Sequence, residues 1–402
     1  MTPNPSSSTE PGLRPDRIDW RTTIPFVLAH LACLAAIWTG VRLEDVAVGL
    51  ALYWARMFGV TAGYHRYFSH RAFRAGRIFQ FLLALLAQSS AQRGVLWWAA
   101  HHRDHHKYSD TDSDPHSPVR RGFWRAHLGW IFEPRYEPTK LERIPDFAKY
   151  PELVWLDRHP YLPAIALGFA TWAVGGWSML VVGFFWSTVA LWHATFSINS
   201  LAHVLGRRRY VTGDASRNNW WLALLTMGEG WHNNHHYYQS SVRQGFRWYE
   251  LDLSYLLLRV LRALRLVGDF KLPPKAVVEN RRRLKTATIE RAAEELLARL
   301  KVEERIAELC RLIEQARQRR AEMGAAMVAA RDRASSRIQE TGHQVQQQMD
   351  EAIHGVQDRL AQWRMRLEAL TGHDAALRLL PSRKELVERA RALYRDTPSL
   401  EE

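Results

Sequence analysis

Cysteine is nearly missing from this chain: Cys33 and Cys310 are the only two in 402 residues. One sits in an apolar run and the other in a charged stretch, which excludes a disulfide framework and a thiolate metal site and suits a reducing compartment. Acidic residues are also under-supplied, 41 against 55 Lys and Arg, for a net charge of +14. That charge is mixed along the chain and no nucleic-acid-binding module accompanies it, so nucleic acid is not an expected partner. The first 23 residues are polar and proline-rich, and they lack the apolar core and small-residue cleavage site of a signal peptide. Charge is absent, too, from several long stretches. Ile24 to Val41 has none, Val46 to Gly63 only Arg56, Tyr161 to Val182 none, and Gly183 to Leu201 only His193 as a titratable group.

Each of these runs is about 18–22 residues, enough to cross a hydrocarbon core of roughly 30 Å. The expectation is an all-α protein with four transmembrane helices at about 24–41, 46–63, 161–182 and 183–201. Arg42 is the one basic residue between the first two, and none stands between the last two. The positive-inside rule then puts both termini and the segments joining the second and third helices in the cytoplasm. Trp20, Tyr64, Trp155 and Tyr161 suit interfacial belts, and the shorter run Ile78 to Ala87 reads as an interfacial helix.

What the chain has in abundance is histidine, 18 residues. Three clusters stand out: His65-Arg66-Tyr67-Phe68-Ser69-His70, His101-His102-Arg103-Asp104-His105-His106, and His232-Asn233-Asn234-His235-His236. Asn199 and His203 add a pair at the end of the fourth apolar run. On a helix His102, His105 and His106 point to one side, as do His232, His235 and His236. Imidazole is the commonest side-chain ligand for iron, zinc and copper. Nine histidines, His65, His70, His102, His105, His106, His203, His232, His235 and His236, are too many for one ion and imply a two-metal centre. His101 is left out, because the HxxHH register selects His102.

These boxes, with the runs Gly59 to His70, His102 to Asp110, Asp114-Pro115-His116, Asn199 to His203 and Gly228 to His236, resemble the integral-membrane fatty-acid desaturases of the stearoyl-CoA and acyl-lipid type. The likeness covers about residues 20–270. It implies a membrane stem, a cytoplasmic cap and a di-iron centre that uses O2 to place a cis double bond, at Δ9, in an acyl chain on CoA or phospholipid. It implies one iron on His65, His102, His232 and His236, with Asn199 reaching it through a water. The other would take His70, His105, His106, His203 and His235. A separate electron donor such as ferredoxin or its reductase is implied, and a bacterial inner membrane is the expected location. Tyr53 and Gly49 are candidate residues at the end of the acyl tunnel. The Arg-Asp pair that precedes the second box in acyl-CoA members is replaced by Ala100-His101. A membrane di-iron hydroxylase and a histidine-rich metal transporter or store are the rival readings; transporters hold their ligands near the midplane, whereas these boxes lie at helix ends.

After Pro273-Pro274 the composition shifts to Ala, Glu, Arg, Leu and Gln, and residues 276–402 read as a helical, coiled-coil-like extension. Gly324, Gly342 and Gly355 are expected to break it. Self-association and donor docking are candidate roles.

Overall fold

The computed structural model describes residues 18–299 and 301–340. Gly342, Gly355 and the rest of the extension lie outside the described residues. The protein is mostly helical; a two-stranded antiparallel ribbon pairs Arg74–Ala75 with Val267–Gly268. Two compact units divide the chain between Thr288 and Ile289.

Among the described residues, three helices are long and apolar enough to cross a membrane: Trp20–Thr39, Leu43–Ser69 and Leu162–His203. The third, at 42 residues, is not a straight rod. Gly176 has φ 69° and ψ −160°, and Gly168 comes against Phe184 on the far side of it, a Cβ there standing 3.3 Å from the ring. Sixteen residues of straight helix would separate the two by about 24 Å, so the chain folds back on itself. The hairpin turn therefore falls at Gly176 rather than between Val182 and Gly183, where the apolar pattern placed it. Glycine tolerates the positive φ, while Val182 and Gly183 stay wound within the Met179–Trp186 segment.

The two tight turns of the stem are tied together. Arg42 Nη2 donates to Asp45 Oδ1 (2.7 Å) and to the Gly175 carbonyl (2.7 Å), and Ser178 Oγ donates to the same Asp45. Gly49 explains the close approach of the second helix to this hairpin, because a Cβ would sit 3.0 Å from the Val182 carbonyl. Arg56, fully buried, is held by hydroxyls: Ser187 Oγ at 2.5 Å and Thr188 Oγ1 at 2.7 Å.

At the other end the second helix changes winding. Over Gly59–Ser69 it is π-helical, and His70 N–H donates to the His65 carbonyl (3.1 Å). Above it the Val95–Tyr108 helix carries the second box. A distant residue satisfies its first amides: Asp157 Oδ1 accepts from Leu96 N (2.8 Å) and Trp97 N (2.9 Å). Such orphan amides would otherwise be costly to bury. Shorter helices, Trp220–Leu225, His232–Tyr237 and Leu253–Ala263, complete this layer. The Arg77–Gln88 helix buries Leu83, Ala84 and Ala87 and exposes Ile78 and Leu82, the two-sided pattern of an interfacial helix. Trp20 and Trp155 are exposed, but Tyr64 is not a belt residue: it is fully buried, stacked on Trp98, and donates to the Arg93 carbonyl (2.6 Å).

The first unit extends past the Pro273-Pro274 boundary. Val277 packs with Tyr210, Tyr237 and Phe246, and Tyr210 OH donates to the Val278 carbonyl (3.0 Å). In the second unit Val302–Glu340 is one continuous helix of 39 residues. Gly324 does not break it. Its cost of about 1 kcal/mol relative to alanine is carried by neighbours such as Ala325 and Ala326.

Candidate metal centre

The winding of each element decides where its histidines go. An α-helix would turn residues five apart to different sides. The π-helical turn brings His65 and His70 together, with ring centroids 4.7 Å apart. The second box is on a regular helix, and its i, i+4 pair His102 and His106 is closest, at 4.6 Å. In the third box His232 and His236 are closest, at 4.3 Å. That box needs the glycines before it: a Cβ on Gly230 would stand 2.0 Å from Ala223 N, and Gly228 has φ +119°.

All nine histidines converge. His65, His70, His102, His106 and His235 form one group, and His105, His203, His232 and His236 form a second, each with a ligand atom within 4.8 Å of the others. This division corrects the one implied by resemblance. His70, His106 and His235 join His65 and His102, while His232 and His236 join His105 and His203. The reason is geometric: the π-turn and the i, i+4 pairs keep close partners in one pocket. Asn199 lines the same cavity as His102. His101 stays out of both groups, its Nδ1 2.9 Å from the Trp97 carbonyl.

The first group tests its own fitness for a cation. Nε2 atoms form a chain from His65 to His235 (3.0 Å), His106 (2.9 Å), His102 (2.9 Å) and His70 (2.9 Å). A neutral imidazole nitrogen either carries a proton or offers a lone pair. No assignment of protons makes all four contacts hydrogen bonds, because three of the nitrogens face two neighbours each. A metal ion between the lone pairs removes the conflict. Metal–imidazole bonds of about 2.0–2.1 Å place ligand nitrogens at right angles about 2.9–3.0 Å apart, the spacing seen. The second group contains the same contact, His203 Nε2 to His232 Nε2 at 3.1 Å. Burial, reinforced by the neighbouring imidazoles, holds His102, His106, His232 and His235 well below the ordinary histidine range. They are neutral, the form that binds metal.

Four carboxylates orient the ligands from behind. Glu229 Oε2 lies 2.5 Å from His65 Nδ1, Asp114 Oδ2 3.1 Å from His105 Nδ1, Asp110 Oδ2 2.9 Å from His203 Nδ1, and Asp214 Oδ2 2.7 Å from His236 Nδ1. Such carboxylate–histidine pairs fix the tautomer and raise ligand basicity. Burial opposes the charge of Asp110, but His203 beside it prevails and its carboxyl lies down at about 2. Asp214 is likewise held well below the carboxylate range, against its burial, by His236. Sequence reasoning did not single these four out. Three of them were in view, Asp110 and Asp114 just after the second box and Glu229 just before the third, without a sign that they face rings. Arg66 anchors the arrangement: buried beside His65, it donates to Glu229 Oε1 (3.0 Å) and Asp252 Oδ1 (2.9 Å).

A cavity of about 800 Å³ abuts the centre, with Phe26, Trp98, His102, Phe184, Trp192 and Asn199 in its wall. Its lining is overwhelmingly apolar. Tyr53 and Gly49 are not among its lining residues. Tyr53 OH donates to the Leu225 carbonyl (2.8 Å), and Gly49 is taken up by packing on Val182. Gly49 thus meets the hairpin and Tyr53 the Trp220–Leu225 helix.

Known proteins share this pattern. A family model described as "Fatty acid desaturase" matches residues 45–265. The chain is 38% identical over 273 residues to an sn-1 stearoyl-lipid 9-desaturase of Anabaena variabilis, covering 67% of this chain and 98% of that protein. It is 35% identical over 270 residues to an sn-2 palmitoyl-lipid 9-desaturase of Nostoc sp. (strain 36), covering 65% and 92%. To an acyl-CoA 5-desaturase of Anemone leveillei it is 37% identical over 252 residues, covering 61% and 77%. With the family matched over more than half its length and a histidine centre built to hold metal, the chain is a membrane oxidoreductase of the fatty acid desaturase family.

Proposed function

We infer that the protein is an O2-dependent di-iron desaturase that introduces a cis Δ9 double bond into a saturated acyl chain of a membrane lipid. The observation that carries this is the pair of converging histidine groups against an apolar cavity. Overall, –CH2–CH2– + O2 + 2 e⁻ + 2 H⁺ gives –CH=CH– + 2 H2O. The five- and four-histidine groups would hold two irons, with Asn199 reaching the metal near His102 through a water, and the irons would supply the oxidising chemistry that no side chain provides. The protein's own part is positional. The apolar wall excludes water and strips the chain of alternatives, and the His102–Asn199 end of the cavity sets which methylenes meet the metals. Glu229, Asp110, Asp114 and Asp214 each face a ring Nδ1, which fixes the tautomer and aims Nε2 at the metal pocket.

The Δ9 position and a lipid-borne substrate are supported by the names of the relatives and by Ala100-His101 in place of an Arg-Asp pair. An acyl-CoA substrate is the second reading, favoured by the acyl-CoA relative. The fold-back at Gly176 and the tied turns at Arg42 and Ser178 support a four-span stem; the distribution of basic residues supports termini, cap and histidines on the cytoplasmic side of a bacterial inner membrane. Electrons come from a separate acidic carrier such as ferredoxin or its reductase, which suits the +14 charge. The C-terminal helix is the proposed site of self-association.

The test is a lipid profile of a host expressing the chain beside one expressing His235→Ala. New cis-monoenes, only with the intact chain and on phospholipid, are expected. Hydroxylated chains instead of monoenes refute desaturation and point to a hydroxylase.

A further inference from the structure

The cavity has two kinds of wall. Phe184, Thr188 and Trp192 are buried, whereas Ile165 and Phe169 are each 66% exposed and Trp177 is 64% exposed. Those exposed residues belong to an apolar stretch of spanning length, so the surroundings they face are lipid. The same cavity thus runs from the lipid-facing side of Leu162–Ser178 to His102 and Asn199. Its near lip is formed by Pro25, Phe26 and Ala29 of the first apolar helix. On the opposite side the cavity is lined by small buried residues one turn apart, Ala164 and Gly168. A side chain at Gly168 would press on Phe184, its Cβ 3.3 Å from the ring. Among the described Lys, Arg, Asp and Glu residues, only Arg93 lines the cavity; it donates to Thr22 Oγ1 (2.7 Å) and pairs with Asp19 (3.8 Å) at the start of the first helix.

Resting on the acyl-lipid reading above, we propose that the seam between the Trp20–Leu34 and Leu162–Ser178 helices is a lateral port. Through it one acyl chain slides sideways out of the bilayer into the cavity while its phospholipid stays in the membrane. The chemistry of the walls demands no other occupant. An end-first route from the cap side would first carry the chain of a membrane lipid out of the bilayer into water, against the hydrophobic effect. A sideways step keeps the chain in apolar surroundings throughout and leaves the second chain of the lipid where it is.

The experiment uses the full chain in phosphatidylcholine vesicles doped with a phosphatidylcholine whose saturated sn-1 chain carries a mid-chain diazirine. After irradiation, adducts are mapped by mass spectrometry. The intact protein is expected to give adducts on Trp192 and Thr195 inside the cavity, and on the outward Val174 as a lipid-facing control. Gly168→Leu is expected to cut the Trp192 and Thr195 adducts by about tenfold, with Val174 labelling and metal content unchanged. Gly168→Ala, which fills the seam less and carries the test if the leucine variant loses metal, is expected to fall between. Undiminished Trp192 and Thr195 adducts in both variants, or none in the intact protein, would overturn the port. The readout needs no turnover. Seam-dependent labelling without monoenes refutes the desaturase reading alone, and monoenes with seam-independent labelling refute the port alone.

Discussion

Asp110→Asn isolates the charge behind a metal ligand. Asp110 is 7% exposed, and each of its oxygens has a task. Oδ2 accepts from His203 Nδ1 (2.9 Å) and from Ala215 N (2.8 Å), and Oδ1 accepts from Ser117 Oγ (2.6 Å). Asparagine fits this frame. Its carbonyl takes the Oδ2 position, and its amide faces a hydroxyl that is able to accept. Shape and hydrogen bonds survive while the negative charge goes. What is lost is the electrostatic support that makes His203 a better ligand, and partners of this kind are worth about 10–100-fold in metal affinity, or about 1.4–2.8 kcal/mol. The loss should be confined to the His105, His203, His232 and His236 pocket. Asp110→Ala should cost more, because it leaves His203 Nδ1 and two further donors buried without an acceptor. The assay is competitive chelation of the purified protein, with metal per chain followed as chelator rises. The intact protein should release both metals at similar chelator concentrations, and the variant should release one early. Unchanged release curves in both variants would refute the idea that this carboxylate tunes the site.

Removing single histidines should sort by pocket: His106→Ala depletes the metal of the five-histidine group first and His105→Ala that of the four-histidine group, read by metal content and by distinct spectral changes on reconstitution. Gly230→Ala should destabilise the protein by about 3 kcal/mol or more, because its Cβ would meet backbone at 2.0 Å; a normal melting temperature would contradict the packing described. The metal-free protein should lose stability as pH falls below about 6.5, where unfolded histidines take up protons while the buried His102, His106, His232 and His235 resist them; melting temperatures of apoprotein from about pH 8 to about pH 5 check the sign. A chain ending at Thr288 should retain its metals. One ending at Pro274 should not, since it loses Val277 and the Arg282 donation to the Tyr237 carbonyl (3.0 Å) next to His236.

Residue types and spacings made the ligands legible, because a metal pocket needs lone pairs in number and His65 through His236 supply nothing else in common. Helix existence was legible for the same kind of reason: uncharged stretches of spanning length have few other uses. Boundaries were not. The break at Gly176 depends on one residue's backbone freedom within an unbroken apolar pattern, and hydropathy carries no mark of it. Tyr64 looked interfacial because aromatic residues at helix ends usually are, but a stacking partner from another element, Trp98, draws it inside. The carboxylates were invisible for a further reason. Asp214 reaches His236 across 22 residues of chain, and Asp110 reaches His203 across 93; such pairings exist only once the fold is closed. Gly49 and Tyr53 do not line the cavity, because a helix has several faces and sequence alone does not say which one looks into it.

The division of ligands shows why the HxxHH motif occurs twice. At 3.6 residues per turn, position i+4 lies about 40° from position i, while i+3 lies about 60° to the other side. An HxxHH box therefore presents a pair and a single, aimed about 100° apart. In the second box the pair is His102 and His106, and the single, His105, is farther from both, at 6.0 and 5.4 Å between ring centroids. The third box repeats this: His232 and His236 pair, and His235 stands 6.0 and 5.7 Å away. The structure uses the two boxes reciprocally. The second box gives its pair to the five-histidine pocket and its single to the other, and the third box does the reverse. Each box thus contributes to both pockets, and neither pocket is complete without both helices. The π-turn pair His65 and His70 then completes one side, and His203 the other. Because both HxxHH boxes straddle the two pockets, a shift of either helix disturbs both at once, so the carboxylates and Arg66 around these helices are as much part of the centre as the rings they support.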